Sequence, residues 1–368
     1  SLMSFLDSLF PKKKEKSVVG VDIGSSSLKV VQLRKEHGQA VLETYGELAL
    51  APYSGGEVGQ ATSLSAEQIT ESLKDLLREA KVTTSSCGVS IPFSRSLLTL
   101  VELPYRADPK EQKTVIELEA RKYIPVASSE VQLDWFIVPT EDPKSPAKEA
   151  SPSADQKAKK IEVLLVAVHN DELSLLQSVV TGAGLSPSFY EIEIFSTIRA
   201  VVENSIKPVM VLDIGAASTK TYVIEHGVVA LSHAISTGSQ DITRAISISG
   251  NVSIAQAEAL KKKEGLGDGG ALGSPELVFS RIFAEARRVL IQYETSHKKS
   301  ITSIVLTGGG GVTKELGTYA KGVFSIDVHV ADPFAKTEAP AFMRSVLESI
   351  GPEFAVAVGL AMRKLDEM

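Results

Sequence analysis

Cysteine is almost absent from this sequence: Cys87 is the single one among 368 residues. One thiol cannot form a disulfide within the chain, which is typical of proteins that stay in a reducing compartment. The segment 88–91 that follows it has the apolar character of a strand. We therefore predict a thiol packed in the core and not a reactive one.

Several other signatures are missing. The six histidines show no HExxH spacing and join no cysteine cluster, which argues against a structural zinc site. Neither a Walker A sequence nor a Gly-x-Gly-x-x-Gly signature occurs. The net charge of −6 gives no positive field, so we expect no nucleic-acid partner. No run approaches the roughly 20 apolar residues of a membrane span, and no signal-peptide pattern is present.

What the sequence does contain is one motif written twice. Residues 21–29 (VDIGSSSLK) and 212–220 (LDIGAASTK) each join a β run to an Asp-Ile-Gly turn, small residues, a lysine and a second β run. Asp22 and Asp213 are 191 positions apart, which is too long a period for a solenoid. The duplication predicts two related domains that face each other.

The residue types of this motif suit a polyphosphate. Glycine and small residues let backbone N–H groups approach an anion, and hydroxyl groups add donors. An aspartate at a strand end can hold Mg2+ through water, since this ion usually takes only one or two protein carboxylates. We predict this role for Asp22 and Asp213, and ATP as the ligand. The predicted phosphate-binding residues are Gly24, Ser25, Ser26, Ser27, Lys29, Gly215, Ala216, Ala217, Ser218 and Thr219. Two hairpins of similar shape without a ligand are the alternative.

Two later segments could complete a nucleotide site. A glycine run follows a β run, and a base or ribose could lie against its backbone; its members are Gly308, Gly309, Gly310 and Gly311. Glu258 lies three and four positions before Lys261 and Lys262, so the three share one helix face and could reach ribose hydroxyls. A flexible turn and a solvated helix face are the respective alternatives.

The element pattern predicts an α/β chain of several segments. The predicted organisation is a tail at 1–16, a first domain at 17–92 and 170–206, an inserted subdomain at 93–169, a second domain at 207–352 and a C-terminal helix at 353–368 that returns to the first domain. The insertion includes a Pro-, Ser- and Lys-containing loop at 140–160 that cannot bury a core. Apolar residues beside lysines in the tail could touch an anionic membrane surface, with a frayed terminus as the alternative.

The order of these motifs resembles the actin and chaperone ATPase superfamily. The turns at Asp22 and Asp213 resemble its two phosphate loops, and 307–311 its adenosine motif. The segment 257–265 resembles the ribose-contacting helix of bacterial members. The helices after Glu191 and at 354–362 resemble its connecting helices. The resemblance implies an actin-like ATPase fold, with two RNase H-like domains around a nucleotide cleft.

Within this superfamily, 93–169 resembles the inserted subdomain shared by FtsA and PilM. FtsA is the cell-division actin homologue, and PilM is the cytoplasmic protein of the type IV pilus inner-membrane assembly. The segments 4–27, 119–125 and 132–135 are similar to PilM. FtsA usually ends in an amphipathic membrane helix, whereas this sequence stops at Met368, just after its last predicted core helix.

A PilM-like identity implies a partner. Such a protein binds the cytoplasmic N-terminal tail of PilN, extended in a groove that involves the inserted subdomain. Leu98, Leu100 and Tyr123 are candidate contacts, with core packing as the alternative for each. The resemblance also implies a cytoplasmic location at the inner face of the bacterial inner membrane, with only peripheral membrane contact. Self-association and contacts with other pilus inner-membrane components or the assembly ATPase stay open.

Hydrolysis would need a group that positions or activates water near the terminal phosphate. Glu193 lies close to where the superfamily places such a residue and is the candidate catalytic group; a salt-bridged or helix-capping glutamate is the alternative. Our hypothesis is a nucleotide-dependent platform with slow or absent turnover. An FtsA-like filament-forming division protein and a metabolite kinase of the same superfamily remain as alternatives.

Overall fold

The computed structural model describes residues 17–127, 129–138, 160–203, 207–266 and 275–367. The N-terminal tail and most of the predicted loop at 140–160 lie outside the described residues. Contacts group the chain into two units. Unit 1 comprises Ser1–Ser90, Gln177–Val201 and Asp332–Met368, and unit 2 comprises Ile91–Leu176 and Val202–Ala331.

The described strands are β1 Ser17–Ile23, β2 Ser27–Glu36, β3 Gln39–Ala49, β4 Ser86–Ile91, β5 Ser96–Pro104, β6 Val131–Ile137, β7 Lys160–His169, β8 Ser186–Ile192, β9 Val209–Ile214, β10 Thr219–Glu225, β11 Val228–Ile235, β12 Ser303–Thr307 and β13 Asp327–Val330.

The described α-helices are α1 Ala66–Glu79, α2 Pro109–Ala120, α3 Asn170–Gly182, α4 Glu193–Val201, α5 Ser239–Gly250, α6 Ile254–Glu264, α7 Pro275–His297, α8 Leu316–Phe324, α9 Arg344–Ile350 and α10 Ala355–Glu367. Short 3-10 turns join several of them, and one of these leads directly into α10.

Unit 1 is built on a five-stranded sheet of order β3-β2-β1-β4-β8. Its first three strands form an antiparallel meander, and β4 pairs parallel to β1. The apolar helix α10 packs against β1. A Cβ atom at Gly20 would lie 2.0 Å from the carbonyl oxygen of Ala357. Glycine is therefore required at this position for the helix to approach the strand so closely.

Unit 2 repeats this sheet. Its strand order is β11-β10-β9-β12-β13, with an antiparallel meander followed by a strand parallel to the central one. The long helix α7 covers it, and the apolar core between them includes Phe279, Phe283 and Tyr293, each fully buried. The shared strand order agrees with the duplication inferred from the two Asp-Ile-Gly motifs.

A third, smaller sheet lies in the segment predicted as an insertion. It has the order β5-β7-β6, and α2 packs on one face over a core that includes Val101, Ile116 and Leu165. Strand β5 contacts β11, so this sheet and the second five-stranded sheet belong to one unit. Because side chains alternate along a strand, Leu98 and Leu100 point away from the α2 core.

Cys87 is fully buried in β4, as predicted. Burial disfavours the charged thiolate and raises the pKa of the thiol to about 12. The side chain is therefore an unreactive part of the unit 1 core.

Some element boundaries differ from the sequence prediction. The apolar run at 323–330 predicts a strand, but only β13 forms there, because α8 extends to the buried Phe324 and ends where Ser325 adopts a left-handed conformation with φ of 56°. The pattern that begins at Asp108 predicts a helix through Tyr123, whereas the helix ends at Ala120. Strand β8 has no counterpart in the prediction, since its short SPSFYEI sequence contains a proline and no clear alternation.

One helical stretch of the described chain, Ala341–Glu367, has the length and mean hydropathy (1.3) of a membrane span. Within its apolar window, 61% of the residues are buried in the fold. Much of this hydrophobicity belongs to α10, whose residues Ala355, Val358 and Leu360 are part of the protein core. The stretch is therefore accounted for by packing within unit 1.

Candidate functional site

The first Asp-Ile-Gly motif forms the hairpin between β1 and β2. Asp22 lies directly opposite Lys29 in the antiparallel register. The Gly24 N–H donates to the Ser27 carbonyl oxygen at 3.1 Å, which closes the turn. Ser90, at the end of β4, donates its hydroxyl to Asp22 Oδ1 at 3.0 Å and accepts from a backbone N–H of β1. The Ser90 hydroxyl thus holds the Asp22 carboxylate beside the turn.

The backbone groups of Ser25 and Ser26 form the tip of this turn. The carbonyl oxygens of Ser25 and Ser26 accept hydrogen bonds from Thr62 and Leu50, each at 2.9 Å. The N–H groups of Ser25 and Ser26 donate to no acceptor within the described ranges. A turn whose carbonyls are tied down and whose amides remain available is suited to binding an anion.

Lys29 is not free to act as a mobile phosphate ligand. Its Nζ lies 3.2 Å from Glu47 Oε1 and donates to Ser27 Oγ at 2.7 Å. Burial by itself would lower the pKa of this lysine, but the charges of Glu47, Asp22 and Glu353 outweigh it and the pKa is raised. Lys29 is therefore a charged group whose charge Glu47 already balances, and the Ser27 hydroxyl accepts a hydrogen bond from it.

The second motif forms the hairpin between β9 and β10 with the same geometry. Asp213 lies opposite Lys220 in the register, and Gly215 N–H donates to the Ser218 carbonyl oxygen at 3.0 Å. Asp213 is 5% exposed. Its Oδ2 lies 3.1 Å from Lys220 Nζ, yet among the described residues no hydrogen bond of acceptable geometry reaches this buried oxygen.

Helix α5 begins on this second turn. Its Ser239 and Gln240 N–H groups donate to the carbonyl oxygens of Gly215 and Ala216 at 2.9 and 3.0 Å. In the part of the chain that the structure covers, the Ala216 and Ala217 amides have no acceptor. The positive end of the helix dipole therefore lies beside unpaired turn amides, an arrangement that favours a phosphate group.

Thr219 differs from the other predicted phosphate donors. It is fully buried, and its hydroxyl donates to the Thr237 carbonyl oxygen at 2.8 Å. Ser218 is half-buried at the end of the turn. The hydroxyl of Thr219 thus fastens β10 to the segment before α5.

The glycine run after β12 lies against the same turn. Thr307 pairs with Asp213 in the parallel register. A Cβ atom at Gly308 would lie 2.4 Å from Asp213 Oδ1, and one at Gly310 would lie 2.3 Å from the side chain of Ile214. A Cβ atom at Gly309 would meet no atom within 4 Å. Gly308 and Gly310 must therefore be glycine because of internal packing, whereas the space beside Gly309 is open to a ligand.

Helix α6 contributes the predicted ribose contacts. Glu258 and Lys261 are 8% and 9% exposed and form an ion pair of 2.7 Å between Oε2 and Nζ. Lys262 Nζ lies 3.9 Å from Glu258 Oε1, and its side chain is 60% exposed. Glu258 and Lys261 are therefore buried, whereas Lys262 is solvated. Only Lys262 has the freedom to reach far from the helix.

Two glutamates lie close together at the start of α4. Glu191, 7% exposed, accepts from both terminal nitrogens of Arg199 and from Arg363, each at 2.8 Å. Burial would raise the pKa of this carboxyl, but these hydrogen bonds and charges lower it. Glu191 is thus a structural ion-pair centre. Glu193 is half-buried at the first position of α4, and its carbonyl oxygen accepts from Thr197.

A magnesium ion fits the residues at the second turn. In the described residues no group of three or more His, Cys, Asp or Glu side chains could hold a metal ion. Mg2+ does not need one, since it keeps several waters and binds through one or two carboxylates. Asp213 Oδ2 is buried and lies beside Lys220 Nζ, but within the described residues it accepts no hydrogen bond of acceptable geometry, so a water of such a hydrated ion could donate to it.

The two five-stranded sheets of equal order, each with an Asp-Ile-Gly hairpin on its central strand, define an actin-like ATPase fold. Solved structures share it: the PilM-PilN type IV pilus biogenesis complex (TM-score 0.76, 24% identity, 95% of this chain and 98% of that chain) and MreB 5 of Spiroplasma citri bound to AMPPNP (TM-score 0.53, 13% identity, 96% and 98%). The family of the type IV pilus assembly protein PilM matches residues 20–365, and the chain belongs to this family. The family match decides in favour of the PilM resemblance over the FtsA one.

Proposed function

We propose that this protein is an ATP-binding platform of the type IV pilus inner-membrane assembly complex. The observation that carries the nucleotide site is the convergence of elements on the turn after Asp213 in unit 2. Helix α5 begins on that turn, the glycine run packs against it, and the pair on α6 bonds to the first residue of α5. The sequence predicts the turn, the glycine run and the α6 residues as separate motifs, and in unit 2 they lie close together.

Each element has a defined chemical role in this proposal. The amides of Ala216 and Ala217 bind phosphate oxygens, and the dipole at the start of α5 favours their negative charge. Asp213 would hold a hydrated Mg2+, which would supply positive charge against the phosphates. Glu258 and Lys262 would orient the ribose, and the open backbone at Gly309 would receive the base. We assign the same phosphate chemistry to the turn at Asp22, whose geometry repeats that of the second turn.

The proposal concerns binding more than turnover. Glu193 remains the candidate for positioning water, and we expect slow or absent hydrolysis. Measuring phosphate release with and without Glu193→Ala separates the two cases. Efficient release that the substitution abolishes would show an ATPase, and a low rate that the substitution leaves unchanged would support a binding role.

The direct test of nucleotide binding is calorimetric titration of the full chain with ATP in the presence and absence of Mg2+. We expect saturable binding that Mg2+ strengthens. Asp213→Asn retains the side-chain shape but removes the charge, so it should remove most of the Mg2+ dependence. Asp327→Asn, at the exposed start of β13, is a matched control that should leave the isotherm unchanged.

We further propose that the partner is the cytoplasmic N-terminal tail of PilN, bound at the inner face of the inner membrane. The structural relative named above is a complex of PilM with PilN. In this chain the face of the small sheet opposite α2 carries Leu98, Leu100 and Phe136, with Phe136 50% exposed. A partly exposed apolar row of this kind can receive the side chains of an extended peptide.

Fluorescence anisotropy with a labelled PilN tail peptide tests this assignment. Leu100→Asp and Phe136→Asp each place a charge in the apolar row and should weaken binding about tenfold, the equivalent of about 1.4 kcal/mol. Glu102→Gln, on the same strand and face but outside the row, is the control. Equal affinity of all variants would exclude this face as the docking site. Tighter peptide binding with ATP than without it would support a nucleotide-dependent platform.

A further inference from the structure

The ion pair on α6 is held by a third residue that no motif includes. Thr243 of α5 is 1% exposed. Its hydroxyl donates to Glu258 Oε2 at 2.7 Å and accepts from Lys261 Nζ at 2.9 Å. The hydroxyl therefore uses both its hydrogen and a lone pair on the two charged groups. The carbonyl oxygen of Ser239, at 3.3 Å, is a more distant acceptor for it.

The start of the same helix is bound to the turn after Asp213, which we call the phosphate turn. Ser239 donates its N–H to the Gly215 carbonyl oxygen at 2.9 Å, and its own carbonyl oxygen accepts from Lys261 Nζ at 3.3 Å. A continuous chain of hydrogen bonds thus runs from the turn, through the first turn of α5, to the ion pair. All of its members are buried or half-buried, so water competes with it only weakly.

We propose that Thr243 is a positioning residue that fixes the Glu258–Lys261 pair against the phosphate turn, so that the sugar and phosphate parts of a nucleotide are bound as one. This inference rests on the proposed nucleotide site. The hydroxyl touches no ligand itself. It fixes the direction of Glu258 Oε2 and Lys261 Nζ, and through α5 it places them relative to the amides of Ala216 and Ala217.

A purely structural hydroxyl would behave differently. Ser247, one turn further along α5, donates to the Val252 carbonyl oxygen at 2.7 Å, and within the described residues it has no hydrogen bond to the turn or to the ion pair. Loss of such a bond costs stability alone. Loss of the Thr243 hydroxyl leaves two buried charges with one partner fewer and allows them to reorient. The distinguishing signature is therefore a change in which ligands are bound and not only a change in melting temperature.

The test uses the full chain, with ATP·Mg2+ and inorganic tripolyphosphate·Mg2+ as separate ligands in calorimetric titrations. Thr243→Val removes the hydroxyl and keeps the side-chain volume, and Thr243→Ala removes both. Thr243→Ser restores the hydroxyl, and Ser247→Ala is the matched control on the same helix. Melting curves of the unliganded variants identify any variant that does not fold.

We expect the Val and Ala variants to lose about tenfold in ATP affinity while tripolyphosphate affinity stays within about twofold, because only the coupled sugar contact is lost. Thr243→Ser should recover most of the ATP affinity. Unchanged ATP affinity in folded Val and Ala variants, equal losses for both ligands, or failure of serine to rescue would each overturn the role of Thr243. A folded wild type that binds no ATP would instead contradict the proposed nucleotide site itself.

Discussion

The glycine run after β12 offers a substitution that separates ligand binding from folding. Replacing Gly309 with alanine adds a methyl group that meets no protein atom within 4 Å. Replacing Gly310 adds one at 2.3 Å from the fully buried Ile214 side chain. Adjacent and chemically identical changes should therefore act on different properties of the molecule.

The magnitude for Gly309→Ala follows from contact distances. The added carbon stands about 1.5 Å from Cα, so a base lying on the backbone must rise by a similar distance. Some ten atom pairs then lose contacts of about 0.1–0.2 kcal/mol each, a total of about 1–2 kcal/mol. This corresponds to a loss of ATP affinity of about tenfold. Tripolyphosphate, which has no base, should bind as tightly as to the wild type.

The assay combines titration calorimetry with thermal melting of the unliganded protein. Gly309→Ala should have the same melting temperature as the wild type and should bind ATP more weakly. Gly310→Ala should lower the free energy of unfolding by about 1–3 kcal/mol through overpacking against Ile214. Gly322→Ala, in α8 with equally open surroundings, controls for the methyl group itself. Wild-type ATP affinity in Gly309→Ala would refute the assignment of the base to this loop.

Three further predictions concern charged and close-packed groups. Glu191→Gln should lower the free energy of unfolding by about 2–3 kcal/mol, less than for a fully enclosed pair because both arginines are partly exposed. The pKa of Glu191 is lower in the folded than in the unfolded state. The difference in free energy of unfolding between variant and wild type, measured by urea titration, should therefore be largest above about pH 5 and shrink as the pH falls through the folded-state pKa. A constant difference down to pH 3 would contradict the ion-pair role. Gly20→Ala should destabilise unit 1 by about 3 kcal/mol, measured as a lower melting temperature, because α10 must move away from β1; Gly38→Ala, in an open turn with positive φ, should cost only about 1 kcal/mol. Ser90→Ala should weaken Mg2+-dependent ATP binding a few-fold by removing one of the groups that orient Asp22; wild-type affinity would exclude a contribution of this hydrogen bond.

The local patterns that could be predicted from the sequence are those set by neighbouring residues. Alternation of apolar residues and the turn residues around Gly24 and Gly215 give the two meanders directly. The position of Lys29 opposite Asp22, and of Lys220 opposite Asp213, follows from the length of each turn. The glycine run and the α6 face were also identified, because glycine and i,i+3 spacing are visible in a single sequence.

The parts that could not be predicted depend on contacts between distant residues. Ser90 reaches Asp22 only because β4 pairs parallel to β1, and Thr243 reaches Lys261 only because α5 packs against α6. Neither threonine nor serine carries a local signal for such a role. For the same reason the sequence predicts Lys29 as a phosphate ligand, although in the structure it pairs with Glu47 on the neighbouring strand β3.

Binding of ATP by the intact chain tests the central claim most directly. A calorimetric titration of the wild type with ATP and Mg2+ should show saturable binding, with affinity that falls when Mg2+ is removed and falls about tenfold or more in Asp213→Asn. A folded wild type that gives no saturable signal with ATP, or equal affinity in the wild type and Asp213→Asn with Mg2+ present, would contradict it.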